Sequence, residues 1–285
     1  MKTDIELADL STLLNNETYT IDIHKQPNNS AYINAKTLFK NSAIIAKSTL
    51  KTYLERGLEN GNSDIIHNST KILGNMPNVN IPLTINGVPV KIVFENGKVE
   101  NYIRSSEHLY QAFRFITNEN AYQNDTLAQV SSMGAKKKAK RIICRPYPRS
   151  CFNDFSKTNP KDNMDATLEV IRIMFQAVRI KLAYKQKLSA AQEEQNFGKL
   201  LLKTGTKNII EVAPMQTRNV DTFWGTKMKN IGTLTGMNIM GKLLMILREN
   251  YLEDVKNKTD YTRNFTIPND LNLNILGDNI IDIKI

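Results

Sequence analysis

The sequence has few of the residues that bind metals or form disulfides. Cysteine occurs only at Cys144 and Cys151, and histidine only at His24, His67 and His108. The cysteines do not form a CxxC pair, and so few ligands do not make the Cys and His clusters typical of zinc sites. The pattern gives no support to a disulfide, and free thiols in a reducing cytoplasm fit it best. We therefore expect neither a metal site nor a bound cofactor.

Long apolar runs are also missing. No stretch approaches the ~20 apolar residues that a membrane-spanning helix needs. The first ten residues, MKTDIELADL, lack the basic start and the apolar run of a signal peptide. We therefore expect a soluble, cytoplasmic protein without a membrane partner. Hydrophobic residues make up 41% of the 285 residues, enough for the core of one large domain or of one domain with a smaller addition.

The charge balance is strongly basic, with 38 Lys and Arg against 28 Asp and Glu and a formal net charge of +10. A positive field concentrates phosphates near the surface, so nucleic acid, a dinucleotide or a sugar phosphate would suit this chain. Excess lysine that only solvates the surface explains the same charge. The composition leaves both interpretations open.

Hydrophobic periodicity predicts many helices and few strands. Apolar spacing predicts helices over 35–58, over 106–117, over 165–187, over a segment that ends at Thr204-Gly205, and over 238–252. Short β-rich runs flank Asn86-Gly87, a strong hairpin signal, and a second turn follows at Asn96-Gly97. Asn208–Val212 and residues 280–283 are further strand candidates. The predicted fold class is α+β and helix-rich.

The predicted helix at 106–117, with Ser106 as its N-cap, carries two distinct stripes. The apolar stripe follows i, i+3, i+4, i+7 spacing and is predicted to be core: Leu109, Ala112, Phe113 and Ile116. A second face carries Glu107, Tyr110, Gln111 and Arg114. Glu107 lies in the first turn, where the helix dipole favours a carboxylate. His108 points about 100° away from it, and a structural role is favoured for this histidine.

The long predicted helix at 165–187 also has an apolar stripe. Its predicted core residues are Leu168, Ile171, Phe175, Val178 and Leu182. The basic residues of this segment are predicted to lie on its other faces: Arg172, Arg179, Lys181 and Lys185.

A series of sequence blocks resembles, in the same order, the motifs of the NADAR (NAD- and ADP-ribose-associated), YbiA-like family. The block SSEHLYQAFRF at 105–115 is similar to the family signature SxEHxYQAxKF. The other blocks and the motifs they resemble are 74–77 (LSNMP), 135–140 (AKxKA), 174–182 (a helix ending in RVKL), 197–205 (FGxLLxxTG), 209–211 (IVE), 221–225 (DxFWG) and 236–245 (GxNxLGxLLM). The resemblance covers residues 71–252, between an N-terminal extension at 1–70 and a C-terminal tail at 253–285.

The resemblance implies a helix-rich fold with a few short strands and a polar cleft that hydrolyses N-glycosidic bonds. Family members are associated with phosphorylated riboflavin-pathway intermediates and with ADP-ribose attached to guanine in nucleic acid. For this chain the expected partner is ADP-ribosylated DNA, from which ADP-ribose would be removed. Three alternatives stay open: a small-molecule N-glycosidase, a non-enzymatic module that binds ADP-ribose or nucleic acid, and a simple DNA-binding protein, for which the sequence has no recognisable reading motif.

Glu107 and Asp221 are the candidate catalytic residues, since each lies in a matched motif. Cleavage of a base from ribose builds positive charge on the anomeric carbon and the ring oxygen. A carboxylate stabilises that charge or aligns the attacking water. The structural alternatives are a helix-start charge for Glu107 and a turn or Asx cap for Asp221.

Further residues are candidates for substrate binding. Trp224 offers a flat face on which a base stacks, or it anchors its loop in the core, and packing is the favoured role for its neighbour Phe223. Asn238 is a ligand donor or an N-cap. Lys136 and Lys140 suit a pyrophosphate, although such a charge run equally suits a solvated face. The residues on the Glu107 face complete the set: Tyr110 and Gln111 for the ribose or the base edge, and Arg114 for phosphate or for Glu107 itself.

One difference from the family lies just before the long predicted helix. The family carries a DW pair there, whose tryptophan is thought to help hold the ligand. This chain has Asp162-Asn163-Met164-Asp165 instead, without a tryptophan. The candidates for a replacement apolar wall are Phe152, Phe155 and Met164.

Overall fold

The structure is a computed structural model of the chain. It describes residues 2, 4–20, 42–46, 79–85, 87–116, 120–142, 148–156, 159–183, 185–186, 195–212, 222–230, 233–258, 264–276, 278–279 and 282–284. Contacts divide the chain into two compact units. Unit 1 comprises residues 1–7, 75–199 and 249–285, and unit 2 comprises residues 8–74 and 200–248.

Helices carry most of the regular structure in the described residues. The α-helices are α1 (Leu7–Leu13), α2 (Ser106–Ala112), α3 (Asn120–Leu127), α4 (Ser132–Ile142), α5 (Cys151–Asp154), α6 (Met164–Ile180), α7 (Phe197–Lys203) and α8 (Ile239–Asn257). Short 3-10 helices lie at Pro160–Asp162, Lys181–Ala183 and Asn269–Leu271. In this part of the chain, no helix is both long enough and apolar enough to span a membrane.

The strands are short, between two and five residues each. They are β1 (Glu17–Thr20), β2 (Ser42–Ala46), β3 (Ile81–Pro82), β4 (Thr84–Ile85), β5 (Val88–Pro89), β6 (Ile92–Val93), β7 (Val99–Glu100), β8 (Tyr102–Ile103), β9 (Lys185–Gln186), β10 (Gln195–Asn196), β11 (Asn208–Val212), β12 (Lys227–Asn230), β13 (Thr233–Gly236), β14 (Asn264–Thr266), β15 (Asn274–Ile275), β16 (Asp278–Asn279) and β17 (Asp282–Lys284). The predicted helix-rich α+β class is confirmed.

The largest described sheet of unit 1 includes strands from the C-terminal segment. Its order is β14-β17-β4-β5, and every neighbouring pair is antiparallel. β4 and β5 form the predicted hairpin, in which Gly87 has the φ of 80° that such a turn requires. The turn predicted at Asn96-Gly97 is also confirmed, with a φ of 77° at Gly97, and it joins β6 and β7, which form a second hairpin.

Unit 2 contains an antiparallel sheet of order β1-β13-β12 and a parallel pair of β2 and β11. The strand predicted at Asn208–Val212 is confirmed as β11. The helix predicted over 35–58 is wrong at Ser42–Ala46, which forms β2, and the rest of that range lies outside the described residues. A short apolar run suits a strand as well as a helix, and the pairing with β11 decides for the strand.

The helix α2 is buried on every side, which its sequence pattern does not predict. All seven of its residues are buried, and it packs against α3, α4 and α6 of unit 1. Its N-cap is Ser105, one residue before the predicted Ser106. The Ser105 backbone is extended, and its hydroxyl accepts a hydrogen bond from the amide of His108 at 3.4 Å.

The apolar stripe of α2 is confirmed except at its end. Leu109, Ala112 and Phe113 are fully buried, whereas Ile116 is 42% exposed. The helix ends at Ala112 and not near residue 117, so Ile116 is no longer on the stripe that the periodicity assigned to it.

The predicted exposure of Arg179 and Lys181 is wrong, because α6 is buried on most of its surface. Arg179 is 1% exposed and donates a hydrogen bond to Gln176 Oε1 at 3.3 Å. Lys181 is fully buried, and its ammonium lies 4.7 Å from the centre of the Phe197 ring, a cation–π contact. Of the predicted core stripe, Leu168 is only partly buried.

Two buried polar side chains tie the C-terminal segment to the end of α2. Gln123 donates to the carbonyl oxygens of Phe115 and Asn274 at 3.4 and 3.0 Å, and accepts from the amide of Leu276 at 2.6 Å. Arg149 makes a second tie to residues 271 and 272. The described part of 253–285 therefore belongs to unit 1, while the division into an extension, a domain and a tail stays a prediction.

Candidate active site

Glu107 lies in a dry environment at the start of α2. Glu107 is only 5% exposed. Gln111, one helical turn further on, is 1% exposed and donates from Nε2 to Glu107 Oε1 at 2.8 Å. The i, i+4 spacing of a helix produces this contact, as the sequence pattern predicts. The hydrogen bond fixes the direction in which the carboxylate points.

Arg114 lies against two aromatic rings on the same side of unit 1. Its guanidinium carbon is 4.8 Å from the centre of the Phe152 ring and 5.7 Å from that of Tyr110. The two rings meet edge to face, with centres 5.6 Å apart. All three residues are less than a tenth exposed. The rings hold a planar cation in place, and such a group is well suited to a phosphate or a carboxylate.

His108 is enclosed by hydrogen bonds and takes the structural role that the sequence favours. Its Nε2 lies 2.9 Å from the carbonyl oxygen of Gln129, which only accepts, so Nε2 carries the proton. Its Nδ1 therefore accepts from the Ser105 hydroxyl at 2.8 Å, and Ser105 is bonded in turn to Ser132 at 2.8 Å. This chain of bonds joins the start of α2 to the start of α4.

The free energy of unfolding should fall at acidic pH, because His108 stays neutral in the folded protein but takes up a proton in the unfolded chain. Burial, with a smaller contribution from the positive charge of Arg104, lowers the pKa of His108 from 6.5 to about 4. The stabilisation is therefore complete above pH ~6.5 and is lost as the pH falls towards ~4, because the unfolded chain takes the proton first. Between pH 7 and pH 5 this group should cost about 2 kcal/mol of unfolding free energy.

Urea unfolding of wild type and of His108→Gln at both pH values measures this effect. The difference in unfolding free energy between the two proteins should shrink by about 2 kcal/mol on going to pH 5, since glutamine does not titrate. An equal difference at the two pH values would show that His108 is not held neutral in the fold.

The predicted lysines occupy different environments on α4. Lys136 is partly buried, whereas Lys140 is exposed. Lys137 and Arg141 are also exposed, so Lys137, Lys140 and Arg141 form a basic stripe at i, i+3, i+4 spacing. Lys138 lies 3.2 Å from Asp125 in an ion pair.

Cys151 is buried and free, and its thiol is kept protonated. Burial, followed by the negative charge of Glu169, raises the pKa of Cys151 well above its ordinary value. A protonated thiol is a weak nucleophile and a weak metal ligand. Among the described residues, no three His, Cys, Asp or Glu side chains come together in a group that could hold a metal ion. Cys144 lies outside the described residues.

In unit 2, the loop at 222–226 carries the aromatic pair that the sequence singles out. Phe223 is fully buried, and Trp224 is partly exposed, with their ring centres 4.9 Å apart in an edge-to-face arrangement. Carbonyl oxygens of this loop accept hydrogen bonds from the amides of residues 237–240, at distances between 2.8 and 3.2 Å. The start of α8 thus fixes the loop. Asp221, the second candidate carboxylate, lies outside the described residues.

Asn238 uses its side chain to join elements within unit 2. Its Oδ1 accepts from the amide of Glu211 at 2.9 Å. Its Nδ2 donates to the carbonyl of Ile209 at 2.8 Å and to the hydroxyl of Tyr19 at 3.1 Å. Both amide hydrogens are therefore engaged inside the protein. These hydrogen bonds favour a structural role for Asn238. The predicted contact of Asn238 with a ligand stays a prediction, and these bonds do not support it.

Replacing Asn238 with Ala should lower the unfolding free energy by about 3 kcal/mol. The change leaves the buried Glu211 amide and the Ile209 carbonyl without their partner. It also puts alanine at a φ of 52°, a left-handed conformation that asparagine tolerates better. Denaturant unfolding measures the change, with the exposed Asn101→Ala as a matched control that should shift by less than about 0.5 kcal/mol. A loss of that small size at Asn238 would show that its contacts do not hold the fold.

A family comparison shows what kind of chain this is. The family model described as the NADAR domain matches residues 67–252, about two thirds of the chain. The chain belongs to the NADAR family. No curated protein matches it. Membership is consistent with the N-glycosidase class that the sequence blocks imply.

A NADAR block also contains a buried carboxylate that sequence reasoning leaves out of the site. Glu211, in the block that resembles IVE, is 3% exposed on β11. The backbone carbonyl oxygen of Glu211 accepts a hydrogen bond from the Thr226 amide at 2.7 Å. A Cβ atom built on Gly225 would lie 2.7 Å from the same oxygen. Because glycine has no Cβ, the loop at 222–226 can approach β11 this closely. The signal in the sequence is an acidic residue within an apolar strand run.

At the position of the NADAR family's DW pair, this chain uses its residues to start a helix. Asn163 is the N-cap of α6, and its Oδ1 accepts from the amide of Ala166 at 3.0 Å. Phe152, one of the three candidates for a replacement apolar wall, contacts Tyr110 and Arg114. Its contact with a ligand stays a prediction.

Proposed function

We propose that this NADAR protein hydrolyses the N-glycosidic bond between a nucleobase and ADP-ribose, and that it removes ADP-ribose from guanine in DNA. The observation that carries the proposal is the buried Glu107 carboxylate, which Gln111 holds at 2.8 Å in the block that matches the family signature. A carboxylate held in a water-poor site interacts strongly with a developing positive charge.

In the proposed reaction, the bond from the anomeric carbon to the base nitrogen breaks and its electron pair stays on the base. Positive charge spreads over the anomeric carbon and the ring oxygen, where Glu107 stabilises it. Water adds to the anomeric carbon, and its proton ends on the base nitrogen. The products are ADP-ribose with a free anomeric hydroxyl and an unmodified base.

Arg114 and the aromatic residues suit the remaining parts of such a substrate. The guanidinium, oriented by Phe152 and Tyr110, offers a bidentate donor to a phosphate of the pyrophosphate. On its family motif alone, we assign Trp224 to base stacking. We assign Asp221 the role of aligning the attacking water, on its family motif alone.

The basic stripe on α4 favours DNA over a free small molecule as the carrier of ADP-ribose. Lys137, Lys140 and Arg141 are exposed on one face, and the net charge of the chain is +10. Such a stripe neutralises backbone phosphates and releases their counterions, so binding weakens steeply with salt. A small substrate would give a much weaker salt dependence.

An oligonucleotide that carries ADP-ribosylated guanine tests the proposal. We expect wild type to restore unmodified guanine, with kcat/KM falling several-fold or more between 50 and 200 mM salt. Turnover of a phosphorylated riboflavin-pathway intermediate, with the oligonucleotide untouched, would assign the small-molecule reaction instead. Tight binding of ADP-ribose without turnover of either substrate would identify a binding module.

A further inference from the structure

Gln111 has one buried polar atom that the fold leaves without a partner. Its Nε2 donates to Glu107, but no described residue donates a hydrogen bond to its Oε1. The residue is 1% exposed. A buried acceptor without a donor is unfavourable in the free protein, so a group that supplies the donor gains the hydrogen bond in full.

The orientation of this amide follows from the chemistry of its neighbour. An ionised carboxylate only accepts hydrogen bonds, so Gln111 must turn its NH2 group towards Glu107. The carbonyl Oε1 is then directed away from the carboxylate, two covalent bonds from the nitrogen. The free acceptor is therefore fixed in position relative to Glu107.

We propose that Gln111 Oε1 accepts a hydrogen bond from the ribose 2′-hydroxyl of the substrate, a proposal that rests on the proposed function. In a ribosyl group the 2′ oxygen is two bonds from the anomeric carbon. In the Gln111 amide, Oε1 is likewise two bonds from Nε2, the atom that contacts Glu107. With Glu107 at the anomeric carbon, the hydroxyl of the neighbouring carbon lies at the Gln111 acceptor. The pair thus recognises a ribosyl group and disfavours a 2′-deoxyribosyl group.

This contact should act mainly in the transition state. Hydrogen bonds to the 2-hydroxyl strengthen as a glycosidic bond breaks, since the hydroxyl becomes more acidic beside the developing charge. Glu107 and Gln111 are both buried, so the ribose reaches them only when the covering side chains move aside.

The test compares two oligonucleotides that carry ADP-ribosyl guanine, one with ribose and one with 2′-deoxyribose next to the base. For each enzyme, the measured quantity is the ratio of kcat/KM for the ribose substrate to that for the deoxyribose substrate. The 2′-hydroxyl also changes the intrinsic strength of the glycosidic bond. This effect is the same for wild type and variants, so it cancels when their ratios are compared. We expect the ratio to fall about 10- to 100-fold in Gln111→Met.

Gln123→Met is the matched control, because Gln123 is also fully buried but bonds to backbone groups. It should lose stability and keep the wild-type ratio. An unchanged ratio in Gln111→Met, with measurable turnover, would overturn the assignment of Gln111 and leave the proposed function standing. Wild type that turns over neither oligonucleotide would overturn the proposed function itself. If Gln111→Met does not fold, Gln111→Leu, which also lacks the acceptor, should show the same fall in the ratio, and an unchanged ratio there would overturn the assignment.

Discussion

Glu107→Gln should lower kcat on ADP-ribosylated DNA by about a thousandfold or more, while the protein stays folded. The amide has nearly the shape of the carboxylate, and its oxygen can still accept from Gln111 Nε2, which lies 2.8 Å away. The substitution removes the negative charge that, in the proposed reaction, stabilises the electron-poor sugar. Loss of one preorganised electrostatic group of this kind typically costs a factor of about 100 to 1,000, and the buried position of Glu107 favours the upper end of that range.

A second buried carboxylate of unit 1 is the control for this experiment. Glu100 is 4% exposed and is bonded to Arg104 and Lys98, each at 2.9 Å. Glu100→Gln should reduce stability and leave kcat within a few-fold of wild type. Single-turnover assays separate chemistry from product release. Activity of Glu107→Gln within tenfold of wild type would remove Glu107 from the mechanism.

Arg149→Met should lower the unfolding free energy by about 3–5 kcal/mol. The guanidinium is 8% exposed and donates to three carbonyl oxygens, those of Phe113, Leu271 and Asn272, at distances of 2.9 to 3.0 Å. Methionine fills similar space but leaves all three acceptors without this donor, and those of Phe113 and Leu271 are buried. Since Phe113 follows α2 directly, the loss should also loosen the end of the helix that carries Glu107.

Chemical denaturation of the whole chain measures the stability of this variant. Hydrogen exchange of the amides of residues 109–115 reports on the end of α2 and should accelerate. The exposed Arg141→Met is the matched control, with an expected shift below about 0.5 kcal/mol. A similarly small shift for Arg149→Met would show that the C-terminal segment is not held by this residue.

Local patterns predict the elements of this fold better than its pairings. Gly87 and Gly97 identify two hairpins because a tight turn needs a positive φ, a property of single residues. Apolar spacing over 35–58 predicts a helix that includes Ser42–Ala46, whereas these five residues form a strand. Their strand state depends on β11, more than 160 positions away in the sequence. Such a long-range pairing leaves no local signal.

For the candidate site, the sequence predicts which residues share a helix face, but it does not predict how deeply they are buried or which distant residues contact them. The i, i+3, i+4 spacing brings Glu107, Tyr110 and Gln111 to one side of α2, while Arg114, beyond the end of the helix, packs on the Tyr110 ring. Helical periodicity treats a polar face as exposed, yet this one is buried beneath parts of unit 1 that are distant in sequence. Arg149 is missed because an isolated arginine in a loop carries no pattern, and its partners lie about 120 residues downstream.

Turnover in water enriched in heavy oxygen tests the central claim most directly, because it identifies the bond that breaks. Mass spectrometry of the products should find no heavy oxygen in the phosphate groups of the released ADP-ribose and none in the restored guanine strand, because water adds at the anomeric carbon alone. Glu107→Gln should give no product over the same period. Label in a phosphate group, or ADP-ribose that leaves with its base still attached, would contradict hydrolysis of the N-glycosidic bond.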